Sequence, residues 1–123
     1  MTHKPELRYV VIQTPMGIFK FAVPVVEGPD PVKIAMEMFQ ANVDGGQGDP
    51  LLATLTQLKS LALEGSHQPL ITGLMLLKQM AEKGLVPPLP ELIVGTGITQ
   101  NDLDQAGAYN PGLFERMDQQ FLN

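Results

Sequence analysis

The sequence predicts an α+β fold, in which an N-terminal β-hairpin packs on a helical hairpin and short C-terminal elements complete a single domain. Two N-terminal runs rich in β-branched and aromatic residues flank Pro15-Met16-Gly17, a pattern typical of a β-hairpin. Further along the chain, apolar residues recur at helical spacing, and three segments begin with Asp-Pro or Asn-Pro. The length of 123 residues and the hydrophobic fraction of 44% fit one domain over residues 1–123.

The hairpin is predicted over residues 7–26, with strands at 7–14 and 18–26. Proline suits the first position of a turn, and glycine suits a position with left-handed backbone conformation. The sequence therefore predicts a three-residue loop with a bulge, in which Thr14 faces Ile18. Because a two-stranded hairpin is marginally stable alone, we expect it to need a third strand or a layer of helices, from this chain or from another. The predicted core face carries Leu7, Tyr9, Val11, Phe19, Phe21, Val23 and Val25. The opposite face carries Val10, Ile12, Ile18 and Ala22, which is too apolar for ordinary solvent exposure.

Residues 31–84 are predicted to be helical. Asp30-Pro31 and Asp49-Pro50 each place a capping side chain before a proline, which is the preferred start of an α-helix. Ser66 is expected to cap a third helix, and glycines follow the second and third helices. The second and third helices carry the strongest apolar stripes and are expected to form an antiparallel pair at the centre of the fold. The predicted helices span residues 31–42, 50–64 and 68–83.

A proline-rich spacer at residues 85–90 precedes short elements over residues 91–123. Residues 91–94 are predicted to form a short third strand. Thr99 is expected to cap a helix near residues 100–106, with Asp102 at the N3 position beside the helix dipole. Asn110-Pro111 then opens a terminal helix. Its narrow apolar stripe consists of Leu113, Phe114, Met117 and Phe121.

Composition and charge exclude several classes of function. Thirteen acidic and eight basic residues give a net charge of −5, and the basic residues are scattered singly, so direct nucleic-acid binding is not expected. The absence of cysteine excludes a disulfide framework, thiolate metal ligands and a thiol nucleophile. The N-terminus has no secretory signal pattern, which predicts a cytoplasmic protein, and the longest apolar stretch, residues 69–77, is too short to span a membrane. No cofactor is predicted.

The segment from Leu92 to Gly97 ends in two closely spaced glycines, a place where backbone amides can cradle a phosphate. A dinucleotide fingerprint would need a third glycine at position 100, which is glutamine, and an N-terminal βαβ unit. A strand-to-helix turn is therefore the better interpretation. The phosphate-binding alternative would use Gly95, Thr96, Gly97 and Thr99, with His67 or Tyr109 as a polar group in the pocket.

Other candidate sites fail on spacing. The loop from Asn42 to Asp49 suggests a calcium loop, but its sixth position is Gln47 and its twelfth is Ala53, so a helix-to-helix linker is the better interpretation. His3 and His67 form no helical pair of metal ligands, and no metal site is predicted. The serine directly before His67 points away from it, so the two make no nucleophile-base pair. No catalytic residue is assigned.

Two functional hypotheses follow. The leading one is a non-enzymatic protein-protein interaction module, such as a subunit, adaptor or assembly factor of a larger complex, with self-association as one form of it. The alternative is a small-molecule or phosphate-ligand binder, or a small enzyme, that uses the turn from Gly95 to Thr99. The partner-binding residues predicted for the leading hypothesis are Val10, Ile12, Ile18 and Ala22 on the hairpin, and Phe114, Met117 and Phe121 near the C-terminus.

Overall fold

The fold combines a two-stranded antiparallel sheet with five helices over residues 6–109, which a computed structural model describes. This arrangement confirms the α+β class. Within the described residues the sheet contains only the hairpin, and no third strand joins it. The elements in chain order are β1 (Leu7–Thr14), β2 (Gly17–Pro24), α1 (Pro31–Asp44), α2 (Pro50–Leu63), α3 (Gln68–Glu82), α4 (Leu89–Leu92) and α5 (Gln100–Tyr109).

The first two helices start as the sequence predicts. The Asp30 carboxylate accepts the backbone N–H of Val32 at 3.0 Å, and the Asp49 carboxylate accepts that of Leu52 at 3.0 Å. The third helix begins differently, because its N-cap residue is His67 and no side chain caps it. The prediction that Ser66 caps α3 is therefore wrong. The backbone N–H of Ser66 instead donates to the Leu61 carbonyl at 2.9 Å, so this residue closes the end of α2.

Residues 91–94 do not form the predicted strand. The short helix α4 occupies the first two residues of this segment and a turn the other two, and the N–H of Ile93 donates to the Leu89 carbonyl at 3.0 Å. Pro88 keeps an extended conformation at φ −57° and ψ 148°, whereas Pro90 lies in the first helical turn. The fixed φ of proline suits a first turn, so the spacer predicted at residues 85–90 ends in a helix start.

The register of the hairpin differs by one residue from the predicted register. Thr14 lies opposite Gly17, so the loop contains only Pro15 and Met16. The Thr14 hydroxyl donates to the Gly17 carbonyl at 2.9 Å and accepts the N–H of Met16 at 3.2 Å. This local hydrogen bonding closes a tight two-residue turn, and the predicted three-residue loop with Thr14 facing Ile18 is wrong. Because side chains alternate along a strand, the slip exchanges the two faces of β1.

The inner face of the hairpin packs on α1 and α3 and forms a small apolar core. Phe21 and Val23 are fully buried there, together with Val32 of α1 and Leu76 of α3. The prediction that Phe21 and Val23 lie on the core face is therefore confirmed, whereas Val25, predicted on the same face, is 45% exposed and lies beyond the end of β2. In β1 the order is reversed, because Val10 and Ile12 pack inward while Leu7, Tyr9 and Val11 are exposed.

A larger core lies among the helices, with α2 and α3 at its centre. Leu55 and Leu58 of α2 and Leu74 of α3 are almost completely buried. The two helices approach closely at Gly73, where an added Cβ would lie 3.1 Å from the Cδ1 atom of Leu58. The predicted central role of this pair is confirmed, and its packing depends on a residue without a side chain.

Candidate functional site

The outer hairpin face is the side of the sheet that points away from the helices, and it presents large apolar side chains to solvent. Tyr9 and Ile18 are each 68% exposed, and Val11 is 59% exposed. Monomeric proteins rarely place several such side chains together on a regular surface without a partner. The exposed residues of the outer hairpin face are Leu7, Tyr9, Val11 and Gln13 of β1 with Ile18 and Lys20 of β2.

The predicted partner-binding residues of the hairpin do not form one surface. Ile18 lies on the outer hairpin face, and Ala22 points to the same side but is only 8% exposed. Val10 and Ile12 lie on the inner face, where they pack against the small core. Sequence analysis therefore identified Ile18 as exposed but missed Tyr9 and Val11, which it placed in the core. The C-terminal residues Phe114, Met117 and Phe121 lie outside the described residues.

The edge of β2 is covered at Ala22 by a side chain of α3. The Gln79 amide accepts the backbone N–H of Ala22 at 2.8 Å and donates to the Ala22 carbonyl at 2.7 Å. A glutamine amide carries one acceptor and two donors, so it bonds to the strand as a neighbouring peptide group would. On the same strand, Lys20 carries a charge and Pro24 has no backbone N–H to donate. Both features oppose pairing with a further strand. The β2 edge is thus protected.

The edge of β1 is free. The N–H of Val25 donates to the Glu6 carbonyl at 2.8 Å, so this pair is hydrogen bonded, and bonded pairs alternate along an antiparallel ladder. Every second residue of β1 after Glu6 is therefore bonded to β2, and the residues between turn their N–H and C=O groups away from β2. No other part of residues 6–109 bonds to these groups. The free β1 edge consists of Leu7, Tyr9, Val11 and Gln13.

The composition of the free β1 edge favours strand pairing. From Tyr9 to Thr14 the strand has no charged residue, no proline and no glycine. Four of these six residues are β-branched and one is aromatic, which gives the segment a high β propensity. Natural edge strands are normally protected by lysine, proline or a bulge against pairing with another chain. This edge has none of these features, in contrast to the edge of β2.

A cavity of about 260 Å³ lies between the inner hairpin face and helices α1, α2 and α3. Its lining is almost entirely apolar, and the Thr54 hydroxyl at its wall donates internally to the Pro50 carbonyl at 2.7 Å. Met36 and Phe39 of α1 line the cavity and are partly exposed, as is Ile12 of β1, so the cavity opens beside the hairpin. The full lining is Ile12, Ala35, Met36, Phe39, Leu51, Thr54, Leu55, Leu58, Gly73, Leu76, Leu77, Met80 and Val86.

The turn from Gly95 to Thr99 uses three of its backbone donors internally. The N–H of Thr96 donates to the Ile93 carbonyl at 3.1 Å, and that of Ile98 donates to the Thr96 hydroxyl at 3.1 Å. The N–H of Thr99 donates to the carboxylate of Asp102 at 2.9 Å. The position at the start of α5 where a phosphate would bind is therefore occupied by a carboxylate of the same chain. Three backbone N–H groups of this turn, those of Thr96, Ile98 and Thr99, thus bond within the chain, and the phosphate-binding alternative stays a prediction.

Thr99 and Asp102 form the predicted cap of α5. The Asp102 N–H donates to the Thr99 hydroxyl at 3.3 Å, and Lys59 of α2 donates to the Asp102 carboxylate at 2.7 Å. Burial by itself would raise the pKa of Asp102, but the hydrogen bond from Lys59, those from Thr99 and the positive charge of Lys59 outweigh it. The pKa of this carboxyl is therefore held below its ordinary value of 3.8. Its ionised form fastens α5 to α2.

The loop after α1 is organised by a buried amide. The Asn42 side chain donates to the Thr54 hydroxyl at 2.9 Å and to the Gln57 side-chain oxygen at 3.1 Å. Asn42 thus joins the end of α1 to α2. Because α1 extends to Asp44, the linker between the two helices covers residues 45–49 and is shorter than the predicted 42–49. In the described part of the chain, no three histidine or acidic side chains come together as a metal site. No helix among residues 6–109 has the length and hydropathy needed to cross a bilayer.

Comparison with known families, curated proteins and solved structures gives no match to this chain. The functional argument therefore depends on the outer hairpin face, the free β1 edge and the chemistry of the residues around them.

Proposed function

We propose that the protein is a non-enzymatic protein-protein interaction module, acting in the cytoplasm as a subunit or assembly factor of a larger complex. The outer hairpin face and the free β1 edge form its contact surface. One observation carries the proposal: Tyr9, Val11 and Ile18 are exposed side by side on a two-stranded sheet whose first strand has an unpaired edge.

The two parts of this surface complement each other in binding. Main-chain hydrogen bonds from an added strand provide affinity that does not depend on sequence, and side chains on the sheet face provide specificity. Because the inner hairpin face is already packed on α1 and α3, a partner can approach from the outer side and along the edge.

A photo-crosslinking amino acid placed at position 18 tests the proposal in the full-length chain. Ile18 reports on the outer hairpin face, and Leu63 at the end of α2, which is 75% exposed, provides a matched control position. We expect a covalent protein adduct with the probe at position 18 and none with the probe at position 63. The adduct should disappear when Val11→Lys is added and persist when Leu63→Lys is added.

Two results would argue against this function. Equal adducts from positions 18 and 63 would mean that the outer hairpin face is an ordinary surface. An adduct at position 18 that survives Val11→Lys in a folded protein would mean that the contact does not involve the β1 strand.

A further inference from the structure

We infer that the free β1 edge pairs with the β1 edge of a second copy of this chain. The two strands run antiparallel and form a continuous four-stranded sheet in the order β2, β1, β1, β2. This inference rests on the proposed function of the hairpin and adds the identity of one partner. It is carried by the contrast between the two edges, since Gln79 bonds to both outward-facing backbone groups of Ala22 in β2, whereas no described residue bonds to the outward-facing groups of β1.

The free β1 edge is complementary to itself. A two-fold axis at Val10 places Tyr9 opposite Val11 of the second copy and Leu7 opposite Gln13. All four edge residues then exchange N–H and C=O hydrogen bonds, whereas a shift of two residues leaves groups unpaired at both ends. Tyr9 and Val11 also form the aromatic and β-branched cross-strand contact that stabilises sheets. The symmetric register therefore satisfies the most backbone groups.

The charges of the hairpin favour edge pairing over stacking of two outer faces. Lys20 is the one charged residue on the outer hairpin face, and Arg8 on the inner side is already paired with Asp30. In the edge-paired dimer the two β2 strands are three strand spacings apart, about 14 Å, which exceeds the screening length of ~10 Å at 0.1 M salt. Stacked outer faces would instead press Lys20 against an apolar surface. Edge pairing leaves the Lys20 ammonium group in water and so avoids the cost of desolvating it.

The absence of cysteine makes disulfide trapping a direct test in the full-length chain. A single Val10→Cys substitution places two thiols on the two-fold axis, at a Cα separation of about 4.5 Å, within the roughly 4.4–6.8 Å range of disulfides. We expect Val10→Cys to form a covalent dimer under mild oxidation. The matched variants Ile18→Cys and Leu63→Cys, both at exposed positions, should remain largely monomeric.

Sedimentation velocity provides the second measurement and needs no cross-link. The unmodified protein should sediment as a dimer, and Val11→Lys should raise the dimer dissociation constant at least about tenfold, because a charge on an edge strand opposes pairing. Leu63→Lys adds the same charge at a distant exposed site and should leave the dimer unchanged. Circular dichroism checks that each variant is folded, and if Val11→Lys is unfolded, the trapping of Val10→Cys decides the question.

Two outcomes would overturn the inference. A monomer at every concentration, with no Val10→Cys dimer, would exclude pairing with a second copy, and an adduct to a different protein at position 18 would then preserve the proposed function alone. A dimer whose dissociation constant is unchanged by Val11→Lys, and which forms no disulfide with Val10→Cys, would place the interface elsewhere on the molecule.

Discussion

The substitution Gln79→Leu tests how the edge of β2 is protected. Gln79 makes two hydrogen bonds to the backbone of Ala22, at 2.8 and 2.7 Å, and leucine removes both while keeping a similar volume. Ala22 is only 8% exposed, so its N–H and C=O groups would lose their partners with little access to water. An unsatisfied buried polar group costs about 1–3 kcal/mol, and two such groups at a strand edge predict a loss of roughly 2–4 kcal/mol in the free energy of unfolding.

Urea unfolding followed by far-UV circular dichroism measures this loss through the transition midpoint and slope. The matched control is Gln105→Leu, the same change at an exposed position of α5, where a shift of no more than about 0.5 kcal/mol is expected. Amide exchange at Ala22 should also accelerate in Gln79→Leu. If the two variants lose equal stability, or if the Ala22 amide exchanges as before, Gln79 does not protect the β2 edge.

Three further predictions concern the contacts among the helices. Gly73→Val should lower the free energy of unfolding by roughly 2 kcal/mol, because its Cβ would meet Leu58 at 3.1 Å, while Gly73→Ala should change it by less than about 1 kcal/mol because helix propensity offsets the strain. Asp102, whose folded pKa lies below 3.8, stabilises the fold fully above about pH 4, and this contribution is lost as the pH falls through the folded value. The stability difference between the unmodified protein and Asp102→Asn, measured by urea unfolding from pH 7 downward, should therefore narrow in acid; a constant difference would mean that the ion pair with Lys59 is unimportant. Asn42→Ala should cost about 1–3 kcal/mol by thermal or urea unfolding, because it removes buried hydrogen bonds to α2, and a loss within the error of the measurement would contradict that role.

The helical part of the fold was largely predictable because its signals are local. A capping carboxylate before proline defines a helix start within two residues, and Asp30 and Asp49 both cap as expected. The same holds for Thr99 and Asp102, whose reciprocal hydrogen bonds begin α5. The predicted capping role of Ser66 was wrong because the residue ends one helix immediately before another begins, and the sequence pattern does not separate these roles.

The hairpin shows how a small local error changes the functional interpretation. The sequence predicts the hairpin and the inward positions of Phe21 and Val23 correctly, but it predicts a three-residue loop where the structure has two, and it extends the second strand past Pro24. The hydroxyl of Thr14 was the available signal, since serine and threonine stabilise tight turns through their own backbone. Without this signal, the predicted register places Tyr9 and Val11 on the core face, whereas the structure has them on the exposed face. That an apolar hairpin face binds a partner stays a prediction, and the structure places the exposed apolar side chains on the other face.

The remaining features depend on contacts between distant parts of the chain. Gln79 and Ala22 are 57 residues apart, and Lys59 and Asp102 are 43 residues apart, so no local pattern indicates either pair. The cavity likewise arises where four elements meet. Such contacts decide which strand edge is covered and which amides remain free, and these two facts define the candidate site.

Residue-resolved amide exchange of the full-length protein tests the central claim most directly. The N–H groups of Tyr9, Val11 and Gln13 have no partner within the described chain, whereas those of Val10 and Ile12 are bonded to β2. If the free β1 edge is a binding surface, the first three amides should exchange as slowly as the other two in concentrated protein and faster on dilution. If those three exchange without protection at every concentration and with partners present, while Val10 and Ile12 stay protected, the edge binds nothing and the account is contradicted.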